Sequence, residues 1–334
     1  MKSKLRTRLA LGCGTLMAIA LVVFILIVWY LSAGRPAPCD NEVLQGEMID
    51  TRKGALHVVR MGEETPLVVL ESGLCASSIE WLPVQRGIAR FAGVLAYDRA
   101  GYGLSPKARG PRRIDAPVES LRALLDAIGV KRPVVIVGHD SGAIYAVNFA
   151  ARHPSMVRGL VLVDPFPADM PKYKLELEAA VYRNFIDRGW ILKAGRTAAR
   201  TGVVRALKIT PYLHSPTEIR PCLVDFFSNP ANYDAALAEY SALSGPAQGE
   251  YAAALRVPVT LIRPSRVKYL DHMLFFGVPL VEARKIEALR NEYDIRLLAG
   301  SIAPLRVESE LATNMVHLED PDIIVRAVRK MLGR

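Results

Sequence analysis

The run Val134-Val135-Ile136-Val137-Gly138-His139-Asp140-Ser141-Gly142-Ala143 limits the fold more than any other stretch of the chain. Four β-branched residues are followed by small and polar ones, and a helical pattern then runs from Ile144 to Ala151. That order describes a buried strand turning abruptly into a helix. A turn this tight pushes one side chain out above the sheet, and the positions two before, two after and three after it must be small. With Asp140 at the tip, those positions are Gly138, Gly142 and Ala143, and all fit. With Ser141 at the tip they are His139, Ala143 and Ile144, of which two are bulky. The spacing therefore places Asp140 in a seat suited to a nucleophile. Strand alternation turns the neighbouring His139 away from it.

The rest of the chain alternates in the same way. Two leading strands are expected near Glu47–Thr51 and Leu56–Arg60. Further strands are expected at Pro66–Glu71, Val94–Tyr97, Pro133–Val137, Leu160–Val163, from Val257 to Arg263 and from Leu305. Helices are expected over Ser77–Phe91, Pro117–Ile128 and Asp322–Leu332. Strands alternating with helices predict an α/β fold, a mostly parallel eight-stranded sheet with helices on both faces. From Phe166 to Leu255 the alternation stops. Helical pieces (Leu175–Asp187, Arg196–Ile209, Glu218–Phe227, Tyr233–Leu243) are punctuated by prolines, as in an inserted helical cap. The expected division is a core over 46–165 and 257–334, with the cap over 166–256.

The N-terminus is of a different kind. Leu9 to Ala33 is an uncharged apolar run of 25 residues, about 37 Å long as a helix against a hydrocarbon core of roughly 30 Å. It is expected to be a transmembrane helix, too long for the apolar region of a signal peptide. Residues 1–8 carry Lys2, Lys4, Arg6 and Arg8, a basic tail, and 34–45 form a short linker. The positive-inside rule then keeps the N-terminus cytoplasmic and the globular domain on the non-cytoplasmic side of the membrane.

Composition narrows the partners. The formal net charge is +10, spread over the tail, the Lys107–Arg113 loop and the segment from Arg183 to Lys208. This fits solvated faces near an anionic membrane, and no basic helix interleaved with aromatics suggests nucleic acid. The four cysteines show no metal-ligand spacing. With Cys13 in the apolar run, at most one bridge is expected among Cys39, Cys75 and Cys222. No cofactor or metal is expected.

Four further motifs carry a resemblance. Pro66-Leu-Val-Val-Leu-Glu71-Ser72-Gly73-Leu74 is a strand and turn; Tyr97-Asp98-Arg99-Ala-Gly101-Tyr-Gly103-Leu-Ser105 is a second turn. Gly159-Leu-Val-Leu-Val-Asp164-Pro165 ends a strand, and His317-Leu-Glu319-Asp-Pro321 opens the last helix. Together with the elbow these resemble the α/β-hydrolase superfamily over roughly Gly46 to Leu332. The Glu-Ser-Gly form, where relatives carry His-Gly, resembles a membrane-anchored bacterial branch. The elbow itself is similar to that of Asp-nucleophile dehalogenases and epoxide hydrolases.

The resemblance implies a site. Asp140 takes the nucleophile seat, and Asp164 is the candidate acid. The backbone N–H groups of Leu74 and Ser141 are the candidate oxyanion donors. The seat of the histidine base, seven residues before Pro321, holds Asn314, whose amide cannot take a proton from a nucleophile. His317 is the substitute base nearest in sequence. The leading expectation is an ester or amide hydrolase ancestry with an impaired triad and a pocket for an apolar small molecule or a partner. The alternative is an active hydrolase using Asp140 with a recruited histidine. A remote third is a structural membrane-tethered module.

Overall fold

The computed structural model describes residues 14–15, 17–27, 29, 46–62, 65–107, 110, 112–167, 169–212, 215–244, 255–313 and 315–334. Eight strands form one sheet in the order β1-β2-β4-β3-β5-β6-β7-β8. They are β1 Glu47–Thr51, β2 Gly54–Met61, β3 Leu67–Glu71, β4 Gly93–Tyr97, β5 Val134–His139, β6 Val157–Val163, β7 Val259–Arg263 and β8 Pro304–Glu308. β1 and β2 pair antiparallel, as do β2 and β4, and all other pairings are parallel. The central strands are continuous apolar runs because both of their faces are covered.

Three helices follow in the first half: α1 Leu82–Ala89, α2 Asp115–Ala127 and α3 Ser141–Arg152. Beyond β6 come α4 Met170–Glu176, α5 Gly189–Arg200, α6 Arg220–Ser228 and α7 Pro230–Leu243. Between β7 and β8 lie α8 Arg266–Phe275 and α9 Leu280–Ala299, and the chain closes with α10 Val316–Glu319 and α11 Pro321–Leu332. Alternation along the strands divides the core in two. Val69, Leu95, Ile136 and Leu162 pack with Leu121, Leu124 and Phe149 of α2 and α3. Val68, Val135, Val137 and Val161 pack on the other face with Trp81, Val84, Ile88, Ile324 and Val328.

The helices beyond β6 are more broken than the sequence pattern predicts. The expected Leu175–Asp187 helix is broken near its start, because Glu178 is extended (ψ 137°) and its N–H bonds the Glu282 carboxylate at 2.8 Å, and helical structure resumes over Ala179–Val181 and Tyr182–Ile186. The expected Arg196–Ile209 helix is interrupted at Gly202, which turns left-handed at φ 77°. α8 is a helix that the pattern does not reveal. Its run of mixed exposure stops at Gly277 (φ 80°), ahead of α9.

At the N-terminus, the described residues 14, 15, 17–27 and 29 are helical and exposed. The rest of the expected membrane segment 9–33 lies outside the described residues, with the basic tail and the whole linker. Among the described residues no helix is long and apolar enough to cross a membrane.

Candidate active site

The elbow is built as its spacing requires. Asp140 sits between β5 and α3 at φ 52°, ψ −119°, a conformation costly for a residue with a side chain. A Cβ on Gly138 would lie 2.6 Å from the Gly142 carbonyl oxygen, and one on Gly142 would lie 2.3 Å from that of Glu71. Neither position has room for a side chain, which is why the tip falls on Asp140. Ser141 opens α3 fully buried, and its Oγ has no hydrogen-bond partner.

The Asp140 carboxylate is held from two sides. Its Oδ2 accepts the Leu74 backbone N–H at 3.0 Å, and its Oδ1 accepts Nη1 of Arg188 at 2.9 Å. It makes no capping bond to its own helix. One of the two expected oxyanion donors thus points into the carboxylate of the elbow itself. Among the described residues no histidine forms an ion pair with Asp140.

Arg188 reaches the elbow from the loop before α5. Its guanidinium lies 5.1 Å from the centre of the Phe166 ring. Its backbone N–H donates to the Tyr240 hydroxyl at 3.2 Å, and that hydroxyl donates to Asp187 at 2.7 Å. α7 therefore fixes the loop, and the loop delivers the arginine.

The turn that carries Leu74 is fixed by a buried network. Arg99 donates to Glu71 at 2.9 Å, to the Ser72 carbonyl at 2.5 Å and to the Gly73 carbonyl at 2.8 Å. The same guanidinium makes a two-pronged bond to Glu239 of α7, at 3.0 and 2.9 Å. Tyr97 donates a short hydrogen bond to Glu71. Burial still raises the Glu71 carboxyl above its ordinary range, with Arg99 opposing it. The Glu-Ser-Gly and Tyr-Asp-Arg motifs are thus two halves of one structure.

Asp164 follows β6 at φ 40°. It accepts from Arg263 at 2.7 Å and Arg290 at 2.5 Å. Burial pushes its carboxyl up, but the guanidinium groups of Arg290 and Arg263 outweigh it and hold the pKa below the ordinary value. Arg263 is buried at the end of β7 and also binds Asp294 at 3.0 Å. The candidate acid is therefore committed to arginines, where the triad geometry would require a histidine.

Asn314 lies outside the described residues. His317 is buried on the α1/α11 side of the sheet, with Nε2 3.3 Å from Glu80 and Nδ1 without a partner. Its ring centre is 4.2 Å from that of His139 and 5.1 Å from that of Trp81. His139 does face this side, as alternation requires, yet its ring also flanks the elbow. A Cβ on Gly73 would meet both His139 Nδ1 and Asp140 Cβ at 3.0 Å. Burial, and then the neighbouring His317, depress His139 to about 3.

Between the core and the helices beyond β6 lies a cavity of about 70 Å³. Asp140, Asp164, Tyr173, Arg188, Arg263 and Arg290 supply its polar lining. The three arginines escape the sequence pattern. Only Arg263 leaves a signal, since a charge at the end of a buried strand has to be paired.

A family model described as alpha/beta hydrolase fold matches residues 66–208. Lipase LipV of Mycobacterium tuberculosis is 40% identical over 111 residues, 33% of this chain and 41% of that protein. The uncharacterized protein YqjL of Bacillus subtilis is 35% identical over 114 residues, 34% of this chain and 45% of its own. The chain thus matches less than half the length of these curated relatives. Among solved structures, the epoxide hydrolase CorEH without ligand superposes with a TM-score of 0.62 at 19% identity, over 86% of this chain and 98% of that one. An enol-lactonase from Burkholderia xenovorans superposes with a TM-score of 0.60 at 17% identity, over 86% and 100%. These likenesses are of fold. The elbow, the sheet order and these likenesses agree on an α/β-hydrolase fold, with the family match confined to residues 66–208.

Proposed function

We propose that this chain is a hydrolase-fold protein of ester or amide hydrolase ancestry whose acyl-transfer chemistry is lost, leaving a ligand-binding pocket beneath a helical cap. The observation that carries the reading is the double hold on Asp140. Acyl transfer needs the Leu74 N–H free for the oxyanion of a tetrahedral intermediate. Here a carboxylate occupies that donor, which leaves it unavailable to the oxyanion. Arg188 stays protonated and cannot serve as a base, while Asn314 at the histidine seat offers only an amide. The cavity favours binding over a purely structural tether.

The test is turnover. The purified chain is assayed with p-nitrophenyl acetate and butyrate, styrene oxide and 1-chlorobutane, against Asp140→Ala as the blank. The expected result is no difference between the two proteins. Turnover that depends on Asp140 would overturn the reading.

One observation favours the alternative of an active Asp140 hydrolase. Glu80 and His317 form a buried acid–imidazole pair that stacks on His139 beside the elbow. In that reading His317 activates the water that releases the product, and His317→Gln abolishes any turnover found.

The proposed setting is the non-cytoplasmic side of a membrane, with the 9–33 run as anchor. Cys222 is disulfide-bonded, while the buried Cys75 is a free thiol. A disulfide supports an oxidising compartment. Protease protection in right-side-out and inverted vesicles tests the orientation, and a domain digested only from the cytoplasmic side would refute it.

A further inference from the structure

The cavity beneath the cap has the makings of an anion site that Asp140 and Asp164 do not saturate. Its lining holds three arginines and two aspartates. Arg263 is fully committed, to Asp164, Asp294 and the Pro165 carbonyl. The other two are not. Among the described residues, Arg188 spends only Nη1 of its guanidinium in a hydrogen bond and Arg290 only Nη2. Arg290 is further steadied by the Tyr269 ring, 4.0 Å from its central carbon.

Tyr173 supplies the second, independent observation. It lines the same cavity, is 2% exposed, and its hydroxyl has no hydrogen-bond partner. A buried hydroxyl left unpaired costs about 1–3 kcal/mol, so its persistence needs an explanation such as a bound group. Two incompletely paired guanidinium groups, of which Arg188 is also 41% exposed along its side chain, and an unpartnered hydroxyl around one cavity form an arrangement that an acceptor-only ligand would complete.

We propose that this cavity binds a small monocarboxylate through Arg188, Arg290 and the Tyr173 hydroxyl. Asp140 and Asp164 share the lining, and they would repel a dianion such as phosphate more strongly than a monoanion. Size agrees. About 70 Å³ admits a carboxylate head with a short stem, whereas drug-sized ligands occupy roughly 300–1,000 Å³. The arginine lining thus favours an anion over the apolar ligand that the sequence suggests.

The proposal rests on the binding reading above but fails separately from it. Asp140-dependent turnover would overturn that reading and leave anion binding measurable. An inert protein that ignores carboxylates would overturn only this one. The probe is acetate, titrated into the purified full-length chain at fixed ionic strength, with acetamide and inorganic phosphate in parallel. Acetate is expected to bind saturably and raise the unfolding midpoint; acetamide and phosphate are not. Tyr173→Phe is expected to keep or raise the ligand-free midpoint while weakening acetate roughly 10-fold. Arg290→Gln is expected to abolish binding, and Arg290→Lys, which retains the charge, to keep part of it. No saturable acetate response, an equal response to acetamide, preference for phosphate, or acetate affinity unchanged in Tyr173→Phe would each overturn the proposal.

Discussion

Arg188 binds the Asp140 carboxylate at 2.9 Å, so the residue at the tip of the elbow faces a cation that holds its proton rather than a base that could exchange one. Asp140 is 5% exposed, and its second oxygen is spent on the Leu74 N–H. The pair joins the core to the segment beyond β6 at the point where substrate chemistry would take place.

Replacing that carboxylate should therefore cost stability. Asp140→Ala leaves the Leu74 N–H and the Arg188 guanidinium without an acceptor. Urea unfolding is expected to show a loss of about 1–3 kcal/mol. Relief of the strained φ at Asp140 does not offset this, since alanine carries a Cβ as well. An unchanged or higher stability would mean that the carboxylate is held against the fold's interest and would favour the active-hydrolase alternative.

A fluorophosphonate probe should not label the protein. Ser141 is fully buried one position past the tip, and no described histidine pairs with Asp140 to activate a neighbour. Intact-mass analysis after labelling is the check. One adduct at Ser141 would show that the elbow register is misplaced.

His139 should make the protein sensitive to mild acid. Its folded pKa lies near 3 and its ordinary value is 6.5, so below about 6.5 the unfolded chain takes up a proton that the folded one refuses. Its contribution is thus intact above 6.5 and lost as the pH falls toward 3. The slope is up to about 1.4 kcal/mol per pH unit. His139→Gln is expected to flatten the stability profile between pH 6 and pH 4 relative to the parent. Parallel profiles would show that the ring is not held neutral.

Arg99→Met should be among the most damaging single changes. It leaves Glu71 with only the Tyr97 hydroxyl and Glu239 with Arg112 and the Tyr102 hydroxyl, both carboxylates being 1% exposed, and the expected loss is about 3–5 kcal/mol. If Glu71→Gln and Glu239→Gln are added, much of the loss should return, because the stranded charges are gone. A triple variant no more stable than Arg99→Met would show that packing, and not charge, sets the cost.

Much of the sheet was legible in the sequence, because a buried parallel strand must be an unbroken apolar run and an elbow must be flanked by small residues. Val134–Val137 and Gly138-x-Asp140-x-Gly142 carry that information locally. The partners of Asp140 and Asp164 were not legible. Arg188 stands in Asp187-Arg188-Gly189, a fragment with no local pattern, and meets Asp140 only because α7 holds its loop. Arg290 lies in a charged turn that reads as a solvated helix face, yet it turns inward to Asp164. Long-range pairing of charges leaves no periodicity to read, and Arg263 alone stood out by its seat on a buried strand. α8 was missed for a different reason, since its apolar residues do not sort to one face: Val267, Leu274 and Phe275 are exposed.

Arg99 grips the carbonyls of Ser72 and Gly73 with the same guanidinium that grips Glu239 of α7. The helix that anchors the Arg188 loop and the rim of the elbow are therefore pinned by one rivet. Any motion that lifts α7 must pull on the turn bearing Leu74, and so on the donor that steadies Asp140. The seat of Arg188 and the shape of the elbow cannot be tuned apart, and a substitution in α7 that frees the Arg188 loop would loosen the rim with it.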